Sequence, residues 1–250
     1  MNTQNYRRTM IVTALFLIFL VIGYVYVFEP GQYDKSLPVG ISDFRDQNAY
    51  QIEAGTILDS IDQGEIEVFT PTSVDQQTPP AKTVLWGQSD FVKVARTFNQ
   101  FVWKEPLSSW RLYSMHFSLD CQDDPTGFGE ADFYYFKTSS HNNGKIRYTT
   151  QNFFISPEYG EVIWAGGANF PHPLIGWKNI RLSQIQITAE DALAIAEANG
   201  GKETRQLVEN EGRVHVRLAG DGAWQIVIYQ NDTGSSLFRM VINPKSGDIQ

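Results

Sequence analysis

The chain reads as an α+β protein: a single N-terminal transmembrane helix followed by two tandem modules, each a helix packed on an antiparallel β-sheet. Three observations predict this. Residues 9–28 carry no charged side chain. Two later stretches each pass from apolar residues at helical spacing into strands of alternating character. Both stretches close on nearly the same text, Ile155-Ser-Pro157-Glu-Tyr-Gly160-Glu-Val162 and Ile242-Asn-Pro244-Lys-Ser-Gly247-Asp-Ile249.

The uncharged run, from Thr9 to Phe28, follows Arg7-Arg8 and ends at Glu29-Pro30. As a helix it is about 30 Å long, the hydrocarbon thickness of a bilayer. Tyr24 and Tyr26 lie where amphipathic rings suit the headgroups, and the two arginines place the N-terminus in the cytoplasm. A cleaved secretory signal has a shorter apolar region ending in small residues. This run is longer and ends Tyr-Val-Tyr-Val-Phe, so an uncleaved signal anchor is the expectation. The chain then divides into a cytoplasmic tail and anchor (1–28), a juxtamembrane segment and linker (29–87), a first module (88–167) and a second (180–250). The expected location is the cell membrane, single-pass, with everything after the anchor outside the cytoplasm.

Two of the 20 basic residues precede the anchor and all 28 acids follow it, which leaves the exported part at a formal charge of −10. Such a surface repels nucleic acid, and no nucleic-acid partner is expected. Cys121 is the only cysteine, so the exported part has no internal disulfide and relies on core burial.

Within 29–87, Ile52, Ile57, Leu58 and Ile61 suit a short amphipathic helix and Ile66 to Phe69 a strand. The Pro- and Thr-rich stretch from Thr70 to Pro80 reads as an extended linker, with a boundary near residue 85. In the first module, Ser89 or Asp90 caps a helix whose Phe91, Val94, Ala95, Phe98, Phe101 and Val102 share one face. Strands are expected at Trp110 to Leu119, Ala131 to Lys137, Ile146 to Ile155 and Glu161 to Trp164. Along the first of these, Tyr113, Met115, Phe117 and Leu119 should pack on the helix, while Ser114, His116 and Ser118 face away. Gly166 to Pro173 reads as a joint. In the second module Thr188, with Asp191 at the third helical position, starts a helix that stops at Gly200-Gly201. Alternating runs at Val214 to Leu218, Trp224 to Ile228 and Phe238 to Ile242 follow.

The second unit, from Ile187-Thr-Ala-Glu-Asp-Ala192 through Asn199-Gly-Gly201 to Val241-Ile-Asn-Pro-Lys-Ser-Gly-Asp-Ile249, resembles a PepSY domain. The likeness rests on an Ile-Thr-x-x-x-Ala helix start and a terminal strand-turn with Gly-acid-aliphatic, over about residues 180–250. The first unit resembles the family through its helix and the Ile155 to Val162 ending alone, since it lacks the Ile-Thr-x-x-x-Ala opening. The resemblance implies an exported or membrane-anchored module that binds or restrains peptidases, or serves in sensing and assembly, with no shared catalytic residues. One anchor plus paired modules is also similar to the architecture of bacterial accessory proteins that modulate membrane sensor kinases.

No residue pattern points to catalysis, a cofactor or a metal. His116, His141, His172 and His215 lack the helical i, i+4 spacing of a zinc pair, and each is expected to be structural or superficial. Asp120 to Pro125 is the densest acidic cluster, yet counted from Asp120 the chain has Pro125 and Ala131 where a calcium hand needs Gly and Glu. Cys121 and His116 do not form a nucleophile pair, because the strand turns between them. Phe133-Tyr-Tyr-Phe136 puts rings on both faces of its strand, which suggests two modules packing on each other or a docking surface. The expected function is non-covalent binding of a peptidase, a peptide or a membrane partner outside the cytoplasm. The alternatives are a metal-dependent envelope hydrolase using the Asp120 to Asp132 loop, and a structural envelope spacer.

Overall fold

The computed structural model describes residues 40–41, 49–51, 57–64, 70–72, 84–101, 106–140, 146–157, 162–170, 178–208, 211–219 and 222–250. The expected anchor at 9–28, the strand at 66–69, His141 and His172 lie outside them. No helix among the described residues is long and apolar enough to cross a membrane.

In chain order the elements are β1 (Gly40–Ile41), β2 (Ala49–Gln51), α1 (Ile57–Gln63), β3 (Thr70–Thr72), α2 (Gln88–Phe101), β4 (Arg111–Asp120), β5 (Glu130–Ser140), β6 (Ile146–Ser156) and β7 (Val162–Phe170). After these come α3 (Ala189–Ala196), α4 (Lys202–Leu207), β8 (Gly212–Ala219), β9 (Trp224–Gln230) and β10 (Ser236–Ile242). The strands form one ten-stranded sheet in the order β10-β9-β8-β4-β5-β6-β7-β2-β3, with β1 also on β7, and every pairing is antiparallel.

The two modules therefore do not own separate sheets. The first strand of each, β4 and β8, pair with each other from Ser114↔Ala219 to Asp120↔Arg213. This pairing satisfies two edges that would otherwise present open backbone groups. It is close to two-fold symmetric. Gln88 and Ala189, 101 residues apart, hold the same helical position in the two units, and the same spacing separates His116 from Arg217, which are register partners at the seam.

The helix N-termini meet above that seam. Gln88 Oε1 accepts from the Ala189 backbone N–H at 2.9 Å, and Glu190 Oε1 accepts from the Gln88 N–H at 2.6 Å. Thr188 caps α3 as expected: its Oγ1 accepts from Asp191 N–H at 3.2 Å, while Asp191 Oδ2 accepts from Thr188 N–H at 3.0 Å. For α2 the capping position is Gly87 rather than Ser89 or Asp90. Asp90 stands three residues in, where its carboxylate accepts from the Gly87 N–H at 3.1 Å.

One apolar core fills the space between helices and sheet. Phe91, Val94, Ala95 and Phe98 of α2 and Ala192, Leu193 and Ala196 of α3 are buried with Met115, Phe117, Leu119, Val214, Val216, Trp224, Ile226 and Ile228. Phe117 stands at its centre, within ring contact of Phe91, Phe128, Phe133 and Trp224. The Trp224 indole N–H donates to the Ile187 carbonyl at 2.8 Å. Gln151 Nε2 donates to Asn99 Oδ1 at 2.7 Å, a buried polar link between β6 and α2.

Three expectations are corrected and one is extended. The segment 29–87 is not only juxtamembrane linker, since β1, β2 and β3 extend the sheet beyond β7 and α1 packs on α2; Thr70–Thr72, read as linker, pairs with β2. Gly166 to Phe170, read as joint, continues β7 because Tyr148 to Asn152 of β6 supply hydrogen-bonding partners along its length. Gly200, at φ +99°, does end α3, but the chain re-enters a helix as α4. A β-bulge between Leu112 and Ser114 sends Leu112, not Tyr113, to the core.

Candidate functional site

Opposite the helices, alternate residues of β5, β4, β8 and β9 line up in cross-strand rows. One row runs Asp132, His116, Arg217, Gln225, and the next Glu130, Ser118, His215, Val227. Beyond these rows, Asp120 pairs with Arg213 and Arg213 with Tyr229. The central residues line an open basin of about 470 Å³ with Tyr113, Ser114 and Tyr134. Its position on the seam means that both modules build it.

The two histidines that seemed unrelated in sequence are brought together. His116 Nε2 and His215 Nδ1 are 2.7 Å apart and their rings stack at 4.9 Å. On its other side His116 Nδ1 faces Asp132 Oδ2 at 3.6 Å. Burial first, then the neighbouring His116 and Arg213, lower the His215 pKa to about 4. His215 is therefore neutral at pH 7, and Tyr229 packs edge-on against it at 5.3 Å.

The bulge in β4 turns Tyr113 into the basin, where its ring lies 6.0 Å from that of Tyr134. Burial raises the Tyr113 pKa to about 12 and also raises that of Tyr134. Both phenols keep their protons. Phe133 and Tyr135 point to the helices and Tyr134 to the basin, so the aromatic run serves two faces. It does not join one module to the other, because the modules meet edge to edge.

The acidic loop expected as the alternative metal site is tied up within the protein. Arg213 holds Asp120 at 3.1 Å and Glu130 at 2.9 Å, and Glu130 also accepts from Ser118 Oγ at 3.0 Å. Arg205 of α4 donates to the carbonyls of Cys121 at 2.7 Å and Asp123 at 3.0 Å. Asp123, with its pKa raised by burial and then by Asp120, stands apart from these pairs. Among the described residues no three His, Cys, Asp or Glu side chains converge in a way that suits a metal ion. Cys121 is buried behind the sheet, and burial pushes its thiol pKa up to about 11, so it is a poor nucleophile.

A second hollow, of about 550 Å³, lies on the helix side between α2 and residues 106–112 and 179–183, with Arg96 its one charged lining residue among those described. The basin escaped sequence reasoning because its residues come from strands about one hundred positions apart; the sole local hint was the polar alternation of His116 and His215.

A family model described as "Peptidase propeptide and YPEB domain" matches residues 186–250. These residues form a PepSY domain. The PepSY module thus contributes α3, α4 and β8 to β10, and with them His215, Arg217, Gln225 and Tyr229 of the basin. PepSY domains are generally involved in peptidase regulation or binding and are typically non-catalytic. No curated protein matches the chain. A solved structure, a MaoC-like dehydratase from Phytophthora Capsici, aligns with 53% of this chain and 70% of its own at 15% identity and a TM-score of 0.12, a likeness that carries no argument.

Proposed function

We propose that this protein is a membrane-anchored extracytoplasmic regulator that works by non-covalent binding of a peptide, a peptidase or a membrane partner. The observation that carries this reading is that the PepSY module completes a basin it cannot build alone, with β4 and β5 of the first unit supplying Tyr113, His116 and Tyr134. The uncharged run at 9–28 supports the tether, and the acidic composition after it favours solubility. A hydrolase built on the Asp120 to Asp132 loop is less well supported, because Asp120 and Glu130 are held by Arg213 and Asp132 faces His116.

The test is site-specific photocrosslinking in intact cells, with the photoreactive residue at Gln225 in the basin or at the exposed Lys202 of α4. An adduct with one defined polypeptide from position 225, absent from position 202, is the expected result. No adduct from 225, or the same adducts from both, would remove the reading.

A further inference from the structure

We propose that the seam basin recognises a carboxylate, with Arg217 as its anchor and tyrosine rings as its walls, and that the occupant is a carboxylate of a peptide. This rests on the binding reading above and names the chemistry of what is bound.

Arg213 faces two acids, Asp120 and Glu130, and Asp132 faces His116. Arg217, the other cation at this seam, is exposed and forms no ion pair among the described residues. Its register neighbours are His116 on β4 and Gln225 on β9, neither of them an acid. A guanidinium presents a planar fork of donors that matches a carboxylate at two points, and such a pair is stronger than a neutral hydrogen bond.

The surroundings suit an organic anion better than a simple one. Tyr113, Tyr134 and Tyr229 supply aromatic surface around the cation. The raised pKa values of Tyr113 and Tyr134 keep both phenols neutral, so they do not repel an anion. A hollow of about 470 Å³ has room for a peptide terminus or one large side chain, rather than a folded surface. The chain's net charge of −8 works against anions at long range, so a carboxylate held here is held by local contacts.

The experiment titrates the purified full chain in dodecyl maltoside micelles by calorimetry with three peptides. These are acetyl-Ala-Ala-Phe with a free C-terminal carboxylate, the same peptide as its C-terminal amide, and acetyl-Ala-Glu-Phe amide. Binding of the free acid, with at least about tenfold weaker binding of the neutral amide, is expected; the Glu-containing amide shows whether a side-chain carboxylate substitutes for a terminal one. Arg217→Gln should weaken the acid about tenfold or more, Arg217→Lys should keep part of the affinity, and Lys202→Gln on α4 should leave it unchanged. Equal binding of acid and neutral amide, no binding of either acid, or equal losses in R217Q and K202Q would overturn the proposal. The two tests fail separately. Crosslinks at position 225 without carboxylate preference leave the regulator reading standing, whereas carboxylate binding without crosslinks leaves only the site.

Discussion

His116 Nε2 and His215 Nδ1 lie 2.7 Å apart, one on each strand of the pair that joins the two modules. Only one proton fits between those nitrogens. The contact therefore links the protonation of the seam to its geometry.

The sign of the resulting pH dependence follows from His215. Burial, then His116 and Arg213, hold its folded pKa at about 4, against an ordinary value of 6.5. Between these values the unfolded chain takes up a proton that the folded chain refuses, so the contribution to stability is complete above pH 6.5 and is lost as the pH falls toward 4. Urea unfolding from pH 7 to 4.5 should show a loss of about 1–3 kcal/mol in excess of that seen in His215→Gln. Parallel curves for the two proteins would show that His215 is not the responsible group.

Arg205 fastens the PepSY module to the loop that follows β4. It meets Glu197 through Nε and Nη2 at 3.1–3.3 Å and donates from Nη1 to the Cys121 and Asp123 carbonyls. Arg205→Met strands Glu197, which is largely buried, and should cost about 3 kcal/mol or more in chemical denaturation. Arg205→Lys should recover little, since a point charge does not reproduce the fork. A cost below about 1 kcal/mol would show that the pair is already solvated.

Phe117 should report on both modules at once. It is fully buried and its ring contacts reach α2, the loop before β5, β5 itself and β9. Phe117→Ala is expected to cost about 3–5 kcal/mol. Because the sheet is continuous, tryptophan fluorescence and far-ultraviolet circular dichroism should shift together in a single transition. Two separated transitions, only one of them moved, would mean that the seam does not couple the halves.

The local chemistry of this chain was legible residue by residue. The 3.6-residue spacing of Phe91, Val94, Ala95 and Phe98 set the buried face of α2, and the two-residue spacing of Val214, Val216 and Leu218 set that of β8. Thr188 and Asp191 wrote the start of α3, and Pro244 with Gly247 marked the turn that returns Ile249 to Ile242. These features depend on neighbours within one or two turns, so the sequence by itself determined them. Tertiary structure decided what strand edges do. Nothing within β4 or β8 says that they pair with each other, because an edge is completed by whichever backbone arrives in register. The bulge that turns Tyr113 outward, the helix that resumes after Gly200 with Arg205 in reach of the Cys121 carbonyl, and the strands before residue 73 that extend the sheet are likewise settled by partners distant in the chain. The basin is made of such partners throughout, with each half supplying part of every row. For that reason the fold class could be read from periodicity while the site could not.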